Sequence, residues 1–142
     1  TLHYGFTFVP ANPGDFPIIY CWDGNSNPAV TQWATLNSLL SLASTNATNR
    51  RMVTPNILIK AIYAGVTTAP GTDKSYKFEL LKSQTATGLS ATITGMNTSE
   101  SMVLSQANFI NISATDYPNT EITPTGSPSA MKPKVSYLAA LA

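Results

Sequence analysis

The stretch APGTDKSYKFELLKSQTATGLSATITG, residues 69–95, predicts two strands around an open turn. In its first half Tyr76, Phe78 and Leu80 point to one side of an extended chain, and the residues between them are polar or charged. Its second half is almost entirely Thr, Ser and Ala, which suits a plain pleated strand. A tight hairpin turn usually contains Asn-Gly, which residues 83–88 lack, so a longer loop is predicted there.

Short segments with strand character recur on both sides of this stretch, separated by turn signals roughly every 8–12 residues. Pro17 favours a sheet edge for its strand, because proline cannot donate to a ladder. The Pro-rich segment 116–134 is expected to hold at most one short strand, near 121–123. The other predicted strands are 2–9, 16–22, 50–54, 57–66, 74–83, 88–94, 101–105, 108–115 and 135–142.

Two of these strands are apolar on both faces. In 57–66 strict alternation places Ile57, Ile59, Ala61 and Tyr63 on one face, which favours a central or interface strand. The last predicted strand, 135–142, is expected to lie between two other strands, which would hold it in place. It places four side chains on one face: Val135, Tyr137, Ala139 and Leu141.

One helix is expected, within residues 29–43. Val30, Trp33 and Leu40 recur near the helical period, Asn27 suits the cap position, and Pro28 suits the first turn. Apart from this segment the pattern predicts an all-β sandwich or barrel of about eight short strands. No composition shift marks a domain boundary, so residues 1–142 are interpreted as one domain.

The composition is poor in charge. Of the 142 residues 43% are hydrophobic and 11% are charged, about half the usual charged share, and the net charge is +1. No basic stripe is present for nucleic acid, and no stretch of about 18 apolar residues is present for a membrane. We therefore expect neither partner. The surface of a folded domain with so few charged residues must be covered by Thr, Ser and Asn or be buried against other subunits.

The residues offer little for catalysis. His3 and Cys21 are the single His and Cys, so a zinc site within one chain and an internal disulfide are disfavoured. Glu79, Glu100 and Glu121 could supply a carboxylate pair, but nothing in the sequence selects two of them. No G-x-S-x-G elbow or phosphate loop occurs. We expect no enzyme activity, no cofactor and no metal.

Aromatic side chains allow a different kind of site. Trp22 and Trp33 suit a core or an interface, and either could also stack on a sugar ring. With Tyr117 and Asn119 they form the set of residues that we would assign to glycan contact.

The opening stretch resembles elements of trimeric bacteriophage and algal-virus fibre or capsid-decorating domains, with a Pro-Gly turn, an alternating strand and a Thr-rich strand. ITPTGSPSA, residues 122–130, resembles the segment before the last strand of such domains, and NILIKAIYAGVTTAPG, 56–71, resembles the strand leading into the first element. The resemblance covers about 50–142, with 1–49 as an N-terminal arm and loop region. It implies a jelly roll like that of tumour necrosis factor and complement.

The resemblance also implies a homotrimer and a virion structural role. The leading hypothesis is a capsid decoration or cement protein that is made in the host cytoplasm and binds the major capsid protein or other virion proteins on the capsid surface. The alternative is a fibre knob or tail-fibre module that binds a host glycan or receptor. For capsid and subunit contact we assign Thr1, Leu2, His3, Tyr4, Phe6, Phe8, Tyr137, Ala139 and Leu141.

Overall fold

A computed structural model describes residues 9–10, 12–21, 25–35 and 55–142. Nine strands lie in these ranges, with one short 3₁₀ helix, Gln106–Asn108, between the sixth and seventh strands. The strands are β1 Asp15–Cys21, β2 Gln32–Thr35, β3 Ile57–Val66, β4 Gly71–Lys82, β5 Thr85–Gly95, β6 Ser99–Val103, β7 Ile110–Ile112, β8 Pro118–Thr125 and β9 Pro133–Leu141.

The strands form two antiparallel sheets. One has five strands in the order β1-β9-β3-β6, with β7 also paired to β3, and the other has four in the order β2-β8-β4-β5. Successive strands cross repeatedly between the sheets, which is the winding of a jelly roll. The predicted all-β jelly-roll sandwich is confirmed. β1, which contains Pro17, lies at a sheet edge, and β9 lies between β1 and β3, both as predicted.

The core lies between the sheets and is built by alternation along each strand. Tyr76, Phe78 and Leu80 of β4 are fully buried, and their neighbours on β5 supply Leu89, Ala91 and Ile93. Because side chains in a strand alternate with period 2, the polar residues between them reach the outer face of the four-stranded sheet. The facing sheet contributes Ile57, Ile59, Ile62, Ala64, Val66, Ile112, Val135, Tyr137 and Ala139.

A bulge in β3 changes which of its residues face the core. The register with β9 shifts between Ile59 and Ala61, so that Lys60 is the extra residue. Beyond this point Ile62 lies in the core and Tyr63 faces outward, at 44% exposure. The strict alternation predicted for 57–66 is therefore wrong after Ile59, because one inserted residue reverses the two faces.

The helix predicted within 29–43 is wrong for its described part, because Gln32–Thr35 form β2 and pair with β8. The expected cap makes a turn instead: the Asn27 side chain accepts a hydrogen bond from the Ala29 amide at 2.9 Å. Asn followed by Pro suits an Asx turn as well as a helix start, so the signal was ambiguous. Residues 36–43 lie outside the described residues.

The Pro-rich segment holds a longer strand than predicted. β8 has eight residues and pairs with β4 along its whole length and with β2 at residues 119–122. Pro118 is its first residue, and Pro124 lies beyond the stretch that faces β2. Neither proline has a hydrogen-bonding partner on β2, so the lack of a backbone N–H is tolerated at both positions.

The β4–β5 hairpin is tighter than predicted. Ser83 and Gln84 form a two-residue turn with φ values of 48° and 70°, the left-handed conformation of a type I′ turn, without Asn or Gly. The additional residues of this segment lie in β5 and form a bulge next to the turn. There the Thr87 hydroxyl donates a hydrogen bond to the Leu80 carbonyl oxygen at 2.7 Å.

The remaining strand predictions agree with the fold in type and differ in length. β6 ends before the predicted 105, and β7 is shorter than the predicted 108–115. Of the predicted strand 2–9 only Val9 is described, and it lies outside any strand, whereas the predicted strand 50–54 lies outside the described residues. Across the ranges that the structure describes, no helix has the length and apolar character to cross a bilayer.

Candidate functional site

The outer face of the four-stranded sheet brings two carboxylates side by side. Glu79 of β4 and Glu121 of β8 are direct cross-strand partners, and Trp33 of β2 is the next partner of Glu121. Directly opposed residues have Cβ atoms about 5 Å apart. With Ser90 of β5 opposite Glu79, four side chains form one row across the sheet.

Three polar groups offset the repulsion that opposed carboxylates would otherwise suffer. Lys77 forms an ion pair with Glu79, whose side chain is almost fully buried. The Trp33 indole N–H donates to Glu121 Oε2 at 3.1 Å, and the Thr123 hydroxyl donates to Oε1 at 3.3 Å. The row is therefore a connected polar network with an aromatic ring at one end.

Trp33 and Glu121 are the partly exposed members of this network, whereas Glu79 is buried. A carboxylate accepts hydrogen bonds from sugar hydroxyls, and an indole ring packs against the apolar side of a sugar. Among residues 9–10, 12–21, 25–35 and 55–142, no three His, Cys, Asp or Glu side chains come together in a way that could hold a metal ion.

The outer face of the five-stranded sheet has a different character. Its rows run Ile19–Ser136–Tyr63–Ser101 and Pro17–Leu138–Ala61–Val103 across four strands. Exposed fractions reach 43% at Ile19, 44% at Tyr63 and 66% at Val103. A sheet face in contact with water usually carries charged and polar residues, so these two uncharged rows are unusual.

The charges near this face are few and mostly paired. Lys60, the bulge residue of β3, forms an ion pair with Asp15 of β1, and its ammonium lies 5.3 Å from the centre of the Phe109 ring. The hydrogen bond from Lys60 holds the pKa of Asp15 below its usual range, although burial opposes this shift. Lys134 of β9 is an exposed charge at one end of the face.

A shallow groove of about 320 Å³ runs along this face. Ile19, Tyr63 and Gly65 line it together with Ser136 and Lys134. The groove and the two rows form one continuous surface, which we call the β9–β3 face.

The structure separates the residues that the sequence assigned to subunit contact. Tyr137 and Ala139 lie in the core, at 1% and 0% exposure, whereas Leu141 is 65% exposed at the end of β9. In this part of β9 the side chains that are at least partly exposed are Leu138, Ala140 and Leu141. The other assigned residues, Thr1, Leu2, His3, Tyr4, Phe6 and Phe8, lie outside the described residues.

The residues assigned to glycan contact are also divided. Trp33 lies in the row with Glu121, and Asn119 lies two residues along β8 but is buried. Tyr117 lies near the β4–β5 turn, where its hydroxyl accepts a hydrogen bond from Gln84 at 3.2 Å. Trp22 lies outside the described residues.

Sequence reasoning missed Ile19, Tyr63 and Val103 as surface residues and did not select the pair Glu79 and Glu121. The outward position of Tyr63 depends on the β3 bulge, which no local motif marks. The carboxylate pair depends on the register between β4 and β8, which are far apart in sequence. The recurrence of apolar residues on both faces of 57–66 was the available signal for the β9–β3 face.

Comparison with known proteins gives one weak structural likeness. No family model and no curated protein matches the chain. A solved structure described as a cryo-EM structure of the virus-like particle of extra small virus of the giant freshwater prawn Macrobrachium rosenbergii is similar over 98% of this chain and 84% of that chain. The sequence identity is 18% and the TM-score is 0.43.

Proposed function

We propose that this protein is a virion structural protein, a homotrimeric decoration or cement protein that binds the capsid shell. The β9–β3 face is the observation that carries the proposal. It presents Ile19, Tyr63 and Val103 in uncharged rows, and an exposed apolar surface of this kind marks a protein–protein contact.

The chemistry of this face favours burial against protein. Thr and Ser hydroxyls cost less to remove from water than unpaired ions do, and the exposed apolar side chains gain free energy when covered. The Asp15–Lys60 pair beside the face is already formed within the subunit. A partner would therefore cover this surface without having to desolvate a free charge in its centre.

The fold supports the same role. Double-sheet jelly rolls occur in viral capsid proteins and in lectins, both of which act by binding. Residues 50–142, which resemble virus decoration and fibre domains, contribute β3 to β9 and so most of both sheets. Fold likeness alone does not assign a function, so the proposal depends on the surface.

The test of self-association is the mass of the full chain in solution by light scattering. We expect a mass near three times 15.1 kDa. Tyr63→Lys should reduce the mass to that of one chain, because it places a charge in the middle of the face. Thr72→Lys, at an exposed position of β4, adds the same charge elsewhere and should leave the mass unchanged. A monodisperse wild-type monomer would contradict the trimer.

The test of the capsid role is co-sedimentation with shells of the virus that lack this protein. We expect the wild-type chain to sediment with the shells. Separate substitutions in the exposed turn 12–14 and in the exposed residues of 25–30 would then locate the docking site. Wild-type protein that stays in the supernatant at saturating concentration would refute a decoration role.

The second candidate function is glycan binding at a fibre knob. Trp33 and Glu121 favour it, because they place a hydrogen-bonded carboxylate beside an aromatic ring on a partly exposed surface. A glycan array would identify a ligand, and Trp33→Ala should abolish its binding. Met96→Ala, which truncates an exposed apolar side chain outside the row and outside the set assigned to glycan contact, should retain it. An array with no binder at high protein concentration would argue against this candidate.

A further inference from the structure

In the part of the chain that the structure describes, the two sheets have four edges, which are not protected alike. β1 carries Pro17, β2 has four residues, and the β6–β7 edge is short and interrupted by the 3₁₀ helix. Prolines, short strands and interruptions are devices that prevent a sheet edge from pairing with another chain. The fourth edge, β5, has eleven residues with neither a charge nor a proline.

β5 bonds to β4 on one side, and within the part of the chain that the structure describes it has no strand on its other side. Its bulge lies near the turn and leaves Ser90–Thr94 in regular register with Ser75–Glu79. A regular edge strand presents alternate amides and carbonyls outward, and these groups favour hydrogen bonding.

We propose that Ser90–Thr94 pairs with the same segment of a second copy of this chain, antiparallel and about a two-fold axis centred at Thr92. The two four-stranded sheets then become one sheet of eight strands. Ser90 of one copy lies opposite Thr94 of the other, and Thr92 lies opposite its own equivalent. Cross-strand pairs of Ser and Thr stabilise antiparallel strands.

The sequence around β5 suits pairing with itself. A charged residue near the two-fold axis would face the same charge in the other copy, which destabilises a strand pair. From Ser83 to Ser99 the chain carries no charged residue, so a second copy meets no such repulsion. On the outer side Thr92 and Thr94 are exposed, and on the inner side Ala91 and Ile93 are held in the core.

The contact is small. A pair of five-residue strands buries less than the roughly 1,200 Å² of a stable interface, so we expect weak association that rises with concentration. In an assembly that other contacts hold together, two β5 strands are at a high effective concentration, so that even a weak contact between them forms. The β5 pairing rests on the proposed structural role for its biological purpose. The contact is made by β5 and not by the β9–β3 face.

Sedimentation velocity over a range of concentrations tests the pairing. Thr92→Lys and Thr92→Glu should each weaken association through the β5 edge by about two- to fivefold, because each places like charges opposite one another. An equimolar mixture of the two variants should restore it. Thr125→Lys, which is exposed on the same sheet face but on β8, is the matched control and should associate as the wild type does.

Amide hydrogen exchange gives a second measurement that needs no variant. Protection of amides within 90–94 should increase with wild-type concentration. If neither Thr92 variant changes the association and amide hydrogen exchange does not depend on concentration, the β5 pairing is overturned. The proposed function still stands in that case if Tyr63→Lys reduces the mass. A wild-type monomer at every concentration would overturn both.

Discussion

The hydroxyls of Thr120 and Tyr137 are 2.7 Å apart in the middle of the core and join the two sheets. Thr120 lies on β8 of the four-stranded sheet and Tyr137 on β9 of the five-stranded sheet, each at 1% exposure. Both strands lie between two neighbours in their own sheets. The bond therefore sets one polar constraint on how the two sheets face each other.

Tyr137→Phe should lower the free energy of unfolding by about 1–3 kcal/mol, because the Thr120 hydroxyl loses its partner while remaining buried. Combining it with Thr120→Val should recover most of the loss, since both polar groups are then gone. Chemical denaturation of the single and double variants measures this. A double variant that loses the sum of both single effects would show that the hydroxyls do not act as a pair.

The same tyrosine predicts a loss of stability in alkali. Burial raises the pKa of Tyr137 well above its ordinary value of 10.0, and the bond to Thr120 offsets this only in part. Above about pH 10 the unfolded chain releases the phenol proton and the folded chain retains it, so stability falls as pH rises. Denaturation between about pH 8 and 11 should show a shallower fall in Tyr137→Phe. A residual fall is expected from Tyr76, whose pKa is also raised by burial.

Asp116 predicts a loss of stability in acid. Burial raises its pKa, but this is outweighed by hydrogen bonds from the Ser113 amide and hydroxyl, from Lys82 and from Ser83, which hold the pKa at about 2. The stabilisation is present above the ordinary value of 3.8 and is lost as pH falls towards 2.

Asp116→Asn should therefore be less stable than the wild type at neutral pH, by about 1–2 kcal/mol, and the difference should shrink between about pH 4 and 2. Asp15, whose pKa is also lowered, titrates in both proteins, so the difference between them isolates Asp116. A difference that stays constant with pH would mean that Asp116 contributes through packing and not through its charge.

Gly126 predicts a sharp intolerance to a side chain. Its φ is +74°, and an added Cβ would lie 3.1 Å from the Asp73 carbonyl oxygen. Gly95 has a similar φ of +60° with nothing within 4 Å of the same position. Gly95→Ala should cost about 1 kcal/mol for the left-handed conformation, and Gly126→Ala should cost clearly more. Equal melting temperatures for the two variants would show that the loop at Gly126 relaxes freely.

The strands were predictable where one local pattern points to one structure. Tyr76, Phe78 and Leu80 alternate with polar residues, and the hydrophobic effect then selects which side faces the core. Pro17 indicated an edge because proline lacks an amide. Asn27 was misread because Asn before Pro begins a turn as readily as a helix, and the choice depends on β8 lying beside residues 32–35.

The candidate sites were less predictable, because they depend on register between distant strands. Glu79 and Glu121 meet only when β4 and β8 pair at one particular offset. The outward position of Tyr63 follows from a single extra residue, Lys60, whose ammonium finds Asp15 on another strand. Neither the offset nor the bulge leaves a local mark in the residues themselves.

Composition and alternation along the chain were thus enough to establish an all-β sandwich with a surface poor in charge, since both are sums of local preferences. Which apolar side chains became core and which became surface was settled by the packing of the two sheets. A sheet face has a period of two residues, so one bulge or one shift of register exchanges inside for outside, and only contacts between distant strands select between the two.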